Sequence, residues 1–444
     1  MIKIYDSLTK RKKKLYYDKD KTIKIYICGI TVYNYCHIGH ARVFLLFDSL
    51  IRYLNQLKIK IVFIRNITDI DDKIIKKATL KKKSINYISE KYTKKMHIDI
   101  KNLNLIEPTF EPKATNFISE MVENIEKLYK KQYAYTGKNG DIYYNISKKK
   151  KYGKLSEREI INDNKLEKNK KFSSDFTLWK KLNENITWTS PWGKGRPGWH
   201  TECFTMVNHY FNTGINIHGG GKDLLFPHHE NEIAQYESLN KFKMAKHWMH
   251  VGFLNINEKK MSKTLENTIL IKNILKNNNE EYLRYFMLKT HYRKDMEYST
   301  LKFEQTKISL NSLYNILLKF PIIKKKNILN TFNDEFIKAL NNDFNTPAAI
   351  FVLFDIVKQI KNTKTYTTAS KLVSQLKFLG NILGILKNDP KLFLNKNIKF
   401  KTEYINDLIK KRIAARISKN WKKADNIRDK LIKLGINVTD DKII

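Results

Sequence analysis

Apolar positions recur with two different periods along this chain. Ile23, Ile25 and Ile27 alternate with other residues until Cys28-Gly29 breaks the run, the pattern of a strand feeding a turn. From Phe44 to Leu57 the spacing becomes helical, through Phe47, Leu50, Ile51 and Leu54, and Ile61–Ile64 is again a short strand. Strand, helix and strand in that order predict a βαβ unit of a parallel sheet. Residues 111–132 read as helix. Residues 133–186 are polar, charged and interrupted by Gly137, Gly140 and Gly153, like an insertion in an α/β domain. Beyond Pro191 the chain turns glycine-rich and then β again, at Ile215–Ile217 and Trp248–Phe253. After Asn279 the pattern is mostly helical, with Pro321, Pro347 and Pro390 as helix boundaries. Ala424, Ile427, Leu431 and Leu434 form an amphipathic stripe that Gly435 ends.

Composition narrows the class. Hydrophobic residues make up 42% and charged residues 29% of 444, which excludes a disordered chain and predicts several domains. No apolar run approaches a membrane span, and three cysteines with no secretory leader predict a reduced, cytoplasmic protein. The net charge of +40 has two readings: a polyanionic partner such as nucleic acid, or a Lys/Asn/Ile bias spread over every region, as at Lys148–Lys151 and Lys324–Lys326.

Candidate chemistry begins at His37-Ile38-Gly39-His40, between a predicted strand and a helix starting near Ala41. Gly39 permits close backbone approach, the helix N-terminus favours an anion, and two imidazoles three positions apart can donate to phosphate oxygens. Class I aminoacyl-tRNA synthetases and related nucleotidyltransferases carry such a motif there. Lys260-Met261-Ser262-Lys263-Thr264 resembles the second signature of that class, a lysine loop that neutralises the β- and γ-phosphates and steadies departing pyrophosphate. Thr264 stands where serine is usual and Glu266 where glycine is usual, which puts the mobility of the loop in question.

Cys28, Cys203, His228 and Glu232 are a third group. The last two lie four apart, so a helix starting at Pro227 would turn both to one side. Two thiolates, an imidazole and a carboxylate suit tetrahedral zinc. Spacing alone leaves open buried structural cysteines with a helical His–Glu pair.

The longer motifs add a resemblance. Cys28–Tyr33, Asn66–Lys73, Arg196–His200 and His218–Glu232 are similar to cysteinyl-tRNA synthetase, in order and from Met1 to about Gly435. The resemblance implies that Cys28, Cys203, His228 and Glu232 bind one zinc ion per chain, which takes the substrate thiolate. It also implies that Gly29, Thr68 and Trp199 line the amino-acid pocket, that Asp223 holds the α-ammonium, and that His37, Gly39, His40, Lys260 and Lys263 bind or activate ATP with Mg2+. Cysteine and serine differ by one atom, and a size filter separates such pairs by only about 1–3 kcal/mol. Selection by bond type to a soft cation removes the need for editing.

The organisation expected is α/β: a Rossmann-like parallel-sheet catalytic domain in two halves (1–132 and 191–255) around a connective insertion (133–190). A lysine-loop linker (256–306), a tRNA-binding helical bundle (307–400) and a short C-terminal anticodon-side region (401–444) follow. Trp421 with Arg412, Arg416, Lys419, Lys422 and Lys423 reads either as an RNA contact or as a solvated basic face. The expected partners are tRNA(Cys), L-cysteine and ATP, with no membrane, and the expected state is a monomer. The alternatives are a zinc-dependent ligase that passes cysteine to a small-molecule amine, and a non-enzymatic RNA-binding paralogue.

Overall fold

The structure, a computed structural model, describes residues 1–17, 20–158, 169–182, 187–256, 259–260, 268–322, 330–418 and 420–433, with the main chain alone at 259–260, 330, 395–403 and 432–433. A hairpin of β1 (Lys3–Asp6) and β2 (Arg11–Lys14) opens the chain. β3 (Thr22–Thr31) then feeds α1 (Ile38–Gln56), which returns to β4 (Lys60–Thr68), parallel to β3 as the apolar periods predict. α2 (Asp72–Lys81), α3 (Ile85–Asn102) and α4 (Ile118–Lys130) follow.

The stretch 133–186 builds more than its polar sequence suggests. β5 (Ala134–Thr136), β6 (Ile142–Tyr144), β7 (Phe176–Lys181) and β8 (Gly195–Pro197) form an antiparallel sheet in that order. Ala134, Ile142, Tyr143, Tyr144, Phe176, Leu178 and Trp179 are buried in it, on strands too short to announce themselves in a polar stretch. The chain then resumes the main sheet through α5 (Trp199–Tyr210), β9 (Ile215–Gly221), α6 (Glu230–Leu239) and β10 (Ala245–Val251). Strand order is β10-β9-β3-β4, all parallel. Ile23, Ile25, Ile27 and Ile217 are buried in this sheet, in one hydrophobic cluster with Leu45, Phe47, Leu50 and Leu54 of α1. A Cβ at Gly219 would lie 2.1 Å from the Phe47 ring, so glycine there lets α1 sit on β9. The chain leaves β3 toward β4 on one side and returns to β9 on the other. That is a topological switch point, where open α/β sheets bind ligands at the carboxyl ends of their strands.

β11 (Leu254–Ile256), β12 (Lys259–Lys260) and β13 (Met296–Tyr298) form a small sheet around α7 (Ile271–Lys276) and α8 (Glu280–Leu288). The rest is helical: α9 (Thr300–Lys319), α10 (Asn330–Asn341), α11 (Thr346–Asn362), α12 (Tyr366–Ile382), α13 (Pro390–Ile417) and α14 (Trp421–Lys433). Pro347 and Pro390 sit in first turns, where their missing N–H costs nothing. Gly435 lies outside the described residues.

Two buried polar hubs bind the halves together. Asp48 of α1 accepts from Arg52 Nε at 2.7 Å and from Ile106 N at 2.7 Å, and pairs with the buried Arg284 of α8. The neighbouring Ser49 Oγ donates to Leu383 O at the end of α12, 3.2 Å away. Asp343, fully buried, accepts from Tyr5 N (2.8 Å), Tyr292 Oη (2.6 Å) and Arg293 Nε (2.7 Å). Asp343 and Phe344 have φ of +62° and +46°, a strained turn that these bonds hold in place.

Candidate functional site

The site lies at the switch point. Cys28 stands near the carboxyl end of β3, just where the register with β4 shifts between Ile27 and Ile30. Gly29 beside it donates to Asn66 Oδ1 at 2.8 Å, and a Cβ there would fall 1.6 Å from Asn66 O, so only glycine allows β3 so close to β4. Cys203 projects from the second turn of α5. The helix expected to start at Pro227 instead starts at Glu230, after one wide turn over Leu225–His229. His228 and Glu232 nevertheless meet, Nε2 to Oε1, at 2.8 Å.

The four donors expected to bind metal converge: one atom from each of Cys28, Cys203, His228 and Glu232 lies within 4.8 Å of the other three, and all four residues are buried. The two sulfurs are 3.7 Å apart. A tetrahedral ion with metal–sulfur bonds of about 2.3 Å needs a separation of about 3.8 Å. A second set, Cys28, His218, His229 and Glu232, meets the same criterion but offers one sulfur rather than two.

Protons occupy this set in a defined way. Cys28 is the donor and Cys203 the acceptor of their hydrogen bond. That bond lowers the Cys203 thiol to about 6 against the cost of burial, while burial and Cys203 push Cys28 well up. Burial opposes charge on His228, but Glu232 and Cys203 outweigh it and raise the imidazole to about 10. Burial likewise opposes the Glu232 carboxylate, and His218 and His228 still hold it well below the usual range.

Around the donors runs a histidine network. His218 Nε2 is 2.7 Å from Glu232 Oε2, and His229 Nε2 is 3.3 Å from Cys28 Sγ. His229 Nδ1 meets His250 Nε2 at 2.8 Å, and His250 Nδ1 meets Ser7 Oγ at 2.8 Å, so the chain of contacts reaches the loop after β1. His200 Nδ1 is 3.0 Å from His228 Nδ1. Burial, with His228 next, drives His200 down to about 3, so it is the neutral acceptor of that pair. Sequence patterns do not single out His200 or His250, although seven of the eleven histidines lie from position 200 to position 250.

The expected amino-acid pocket is assembled only in part. Thr68 Oγ1 donates to the buried Glu202 Oε2 at 3.0 Å, a partner that no motif in the sequence points to. The Trp199 ring stacks on His228 at 4.3 Å and stays 37% exposed, beside a cavity of 1110 Å³ also lined by Arg196, His200, Tyr152 and Phe226. Asp223 stands exposed on the turn Lys222–Leu224, its carboxylate facing Gly221.

At the nucleotide motif, α1 begins at Ile38 rather than near Ala41, because His37 is its N-cap. His37 Nδ1 accepts from His40 N at 3.3 Å, His40 Nδ1 accepts from His37 N at 3.2 Å, and the rings stack at 3.5 Å. With both Nδ1 atoms accepting, each neutral ring carries its proton on Nε2. Gly39 lies in the first turn between them. Lys263, Thr264 and Glu266 lie outside the described residues, as does the Lys260 side chain. The segment that follows is joined to the motif: Ile38 N donates to Ile269 O and Ile271 N to Cys36 O, both at 3.0 Å.

At the far end, Trp421 opens α14 and is exposed, whereas Arg412 is buried. A groove of 580 Å³ between α13 and α14 is lined by Tyr404, Lys411, Lys422, Lys423 and Lys430. Lys419 lies outside the described residues. No helix among the described residues is long and apolar enough to cross a membrane.

Comparison with known proteins gives concordant matches. The family model for the class I (C) tRNA synthetase catalytic domain matches residues 15–308. The DALR domain matches 335–387, and the cysteinyl-tRNA ligase anticodon binding domain matches 402–443. The cysteine–tRNA ligase of Coxiella burnetii strain RSA 493 is 42% identical over 454 residues, 99% of this chain and 97% of that protein. That of Buchnera aphidicola subsp. Acyrthosiphon pisum strain Tuc7 is 44% identical over 458 residues, 100% and 98%. That of Nitrosomonas europaea is 37% identical over 459 residues, 99% and 98%. Two structures of Mycobacterium tuberculosis methionyl-tRNA synthetase with methionyl-adenylate superpose with TM-scores of 0.59 and 0.56. They cover 87% and 84% of this chain and 93% and 91% of their own, at 12% and 10% identity, a likeness of fold alone.

Proposed function

Because the chain belongs to the cysteinyl-tRNA synthetase family, we propose that it activates L-cysteine with ATP and esterifies the cysteinyl group to tRNA(Cys), with one zinc ion selecting the amino acid. The observation that carries the metal reading is the buried convergence of Cys28, Cys203, His228 and Glu232. Zinc held there supplies a soft Lewis acid that binds a thiolate and leaves a serine hydroxyl a poor ligand. His218 orients the Glu232 carboxylate and His200 the His228 ring, as outer hydrogen bonds do at metal sites. Trp199 and Thr68 bound the amino-acid side, with Gly29 placing the β3 main chain and Asp223 taking the α-ammonium.

In the first step the cysteine carboxylate attacks the α-phosphate of ATP, and pyrophosphate leaves. His37 and His40 donate from Nε2 to phosphate oxygens at the start of α1, with Gly39 leaving room, and Lys260 and Lys263 neutralise the departing pyrophosphate beside Mg2+. In the second step the terminal ribose 2′-hydroxyl attacks the adenylate carbonyl and AMP departs. Positioning and charge stabilisation do this work, without a protein nucleophile. The DALR and anticodon-domain matches favour tRNA as acceptor over a small amine. The division into catalytic halves, insertion, linker, bundle and anticodon-side region belongs to the same reading, as does RNA contact along the α13–α14 groove.

The test is metal analysis of the purified protein together with ATP–pyrophosphate exchange. One zinc per chain is expected, with a cysteine-to-serine preference beyond the roughly 200-fold ceiling of a size filter. A metal-free protein with the same preference would overturn the metal reading. No cysteine-dependent exchange would overturn the activity.

Loading the metal-free site at pH 7 is expected to release about two protons, from Cys28 and His228, since both are protonated there and metal ligands are not. Affinity should therefore rise with pH through the neutral range. Calorimetry in buffers of different ionisation enthalpy measures the count, and zero released protons would contradict the assignment of these two groups.

A further inference from the structure

Where β3 passes β4, two residues on one strand face one on the other. The ladder pairs Ile27 with Arg65 and then Ile30 with Ile67, so Cys28 and Gly29 together oppose Asn66. That is a β-bulge, which re-aims a side chain at the cost of a ladder bond. The side chain re-aimed here is Cys28, and the main-chain group left over is the Gly29 N–H. Asn66 takes it with its side chain: Oδ1 accepts from Gly29 N at 2.8 Å.

That bond orients the whole amide. A main-chain N–H can only donate, so the amide oxygen faces Gly29 and the NH2 group faces away from it. Nδ2 accordingly points at Thr68 Oγ1, 3.4 Å away, and that hydroxyl donates onward to Glu202 Oε2 at 3.0 Å. Cys203 Sγ lies 3.8 Å from the same Oδ1. Asn66 is 1% exposed, so no water competes for these bonds. One amide therefore touches the main chain of the bulge, the pocket hydroxyl and a sulfur of the donor set. The ladder pairs on either side hold the two strands together without it. What the amide adds is spacing: of Gly29 from Thr68, and of both from Cys203.

We propose that Asn66 is a positioning residue for cysteine binding, holding the Gly29 main chain and the Thr68 hydroxyl at one spacing from the Cys28–Cys203 sulfur pair. Cysteine is short, so a thiol fixed at one end leaves no slack at the other, and both ends must be met at once. The proposal rests on the pocket and the metal assigned under the proposed function.

The test measures ATP–pyrophosphate exchange by zinc-loaded wild type, Asn66→Ala and Asn66→Leu, the second keeping the volume while removing the same bonds. Mercaptoethanol, a thiol with neither amino nor carboxyl group, serves as an inhibitor that reads the sulfur side alone. Both variants are expected to raise the KM for cysteine about tenfold, the order of effect of one or two misplaced hydrogen bonds. The KM for ATP, the inhibition constant of mercaptoethanol and the zinc content should stay as in wild type. A merely structural role would lower the melting temperature and leave the KM for cysteine alone, and that result overturns the proposal. An inhibition constant for mercaptoethanol that rises as much as the KM for cysteine also overturns it, because the damage then lies at the sulfur donors. An equal rise in the KM for ATP overturns it as well. Should the cavity left by alanine unfold the chain, Asn66→Leu decides by the same readings. Absence of cysteine-dependent exchange in wild type would instead refute the proposed activity, and absence of zinc the metal reading.

Discussion

Cys203→Ser is expected to abolish zinc binding and to lower cysteine-dependent pyrophosphate exchange by more than about a hundredfold. Loss of a mere outer hydrogen bond at a metal site costs roughly 10- to 100-fold, and this change removes a direct donor. The substitution is nearly isosteric, so packing is kept: Cys203 is buried on α5. What changes is the donor atom. Cys203 is the thiolate of the pair, lowered to about 6 by the Cys28 hydrogen bond, whereas a serine hydroxyl stays protonated and hard. Cys36→Ser is the control: Cys36 is equally buried but lies outside the donor set, so zinc content should survive. Metal analysis and exchange assays on both variants decide it, and a zinc-replete, active Cys203→Ser would refute the donor set.

Asp48→Ala is expected to destabilise the fold by about 3–5 kcal/mol, the usual cost of breaking a buried ion pair by removing one partner. Arg284 is fully buried, and without Asp48 its guanidinium keeps, among the described residues, only Ser49 Oγ and the carbonyls of Leu103 and Asn104 at 3.2–3.3 Å. The pair joins α1 to α8, so the loss falls on the junction between the sheet domain and the helical region. The pH dependence has a definite sign. Burial alone would raise Asp48, but Arg284 and Arg52 outweigh it and hold the carboxyl below its ordinary value. Its contribution is complete above about pH 4, the unfolded carboxyl range, and fades as pH falls through the lower folded value. Denaturant melts at pH 7 should show the full difference between wild type and variant, and melts near pH 2 a much smaller one. Equal stability of the two at pH 7 would show that the pair contributes nothing.

The parallel sheet was legible because its strands are buried on both faces: Ile23, Ile25 and Ile27 need no tertiary knowledge to be read as β. The nucleotide motif was legible as residues but not as geometry. No pattern rule expects histidine to cap a helix, so α1 begins three residues before the place its apolar period suggests. The insertion's sheet was hidden because three of its strands are only three residues long and its buried side chains are scattered among lysine and asparagine. The four converging donors Cys28, Cys203, His228 and Glu232 could be named as candidates because their types are chemically selective. Their neighbours His200 and His250 could not be singled out from sequence, since what gives them roles is the closing of α5, α6 and β10 on one point.

The two sulfurs of the proposed metal centre are separated by 175 positions. A ribosome adding about 5–20 residues per second makes the second roughly 9–35 s after the first. Through that interval the earlier thiol is synthesised but has no partner to share an ion with. The centre is therefore a late product of biosynthesis, and zinc or oxidant encountered by the nascent chain meets a single cysteine of the pair rather than the finished cage.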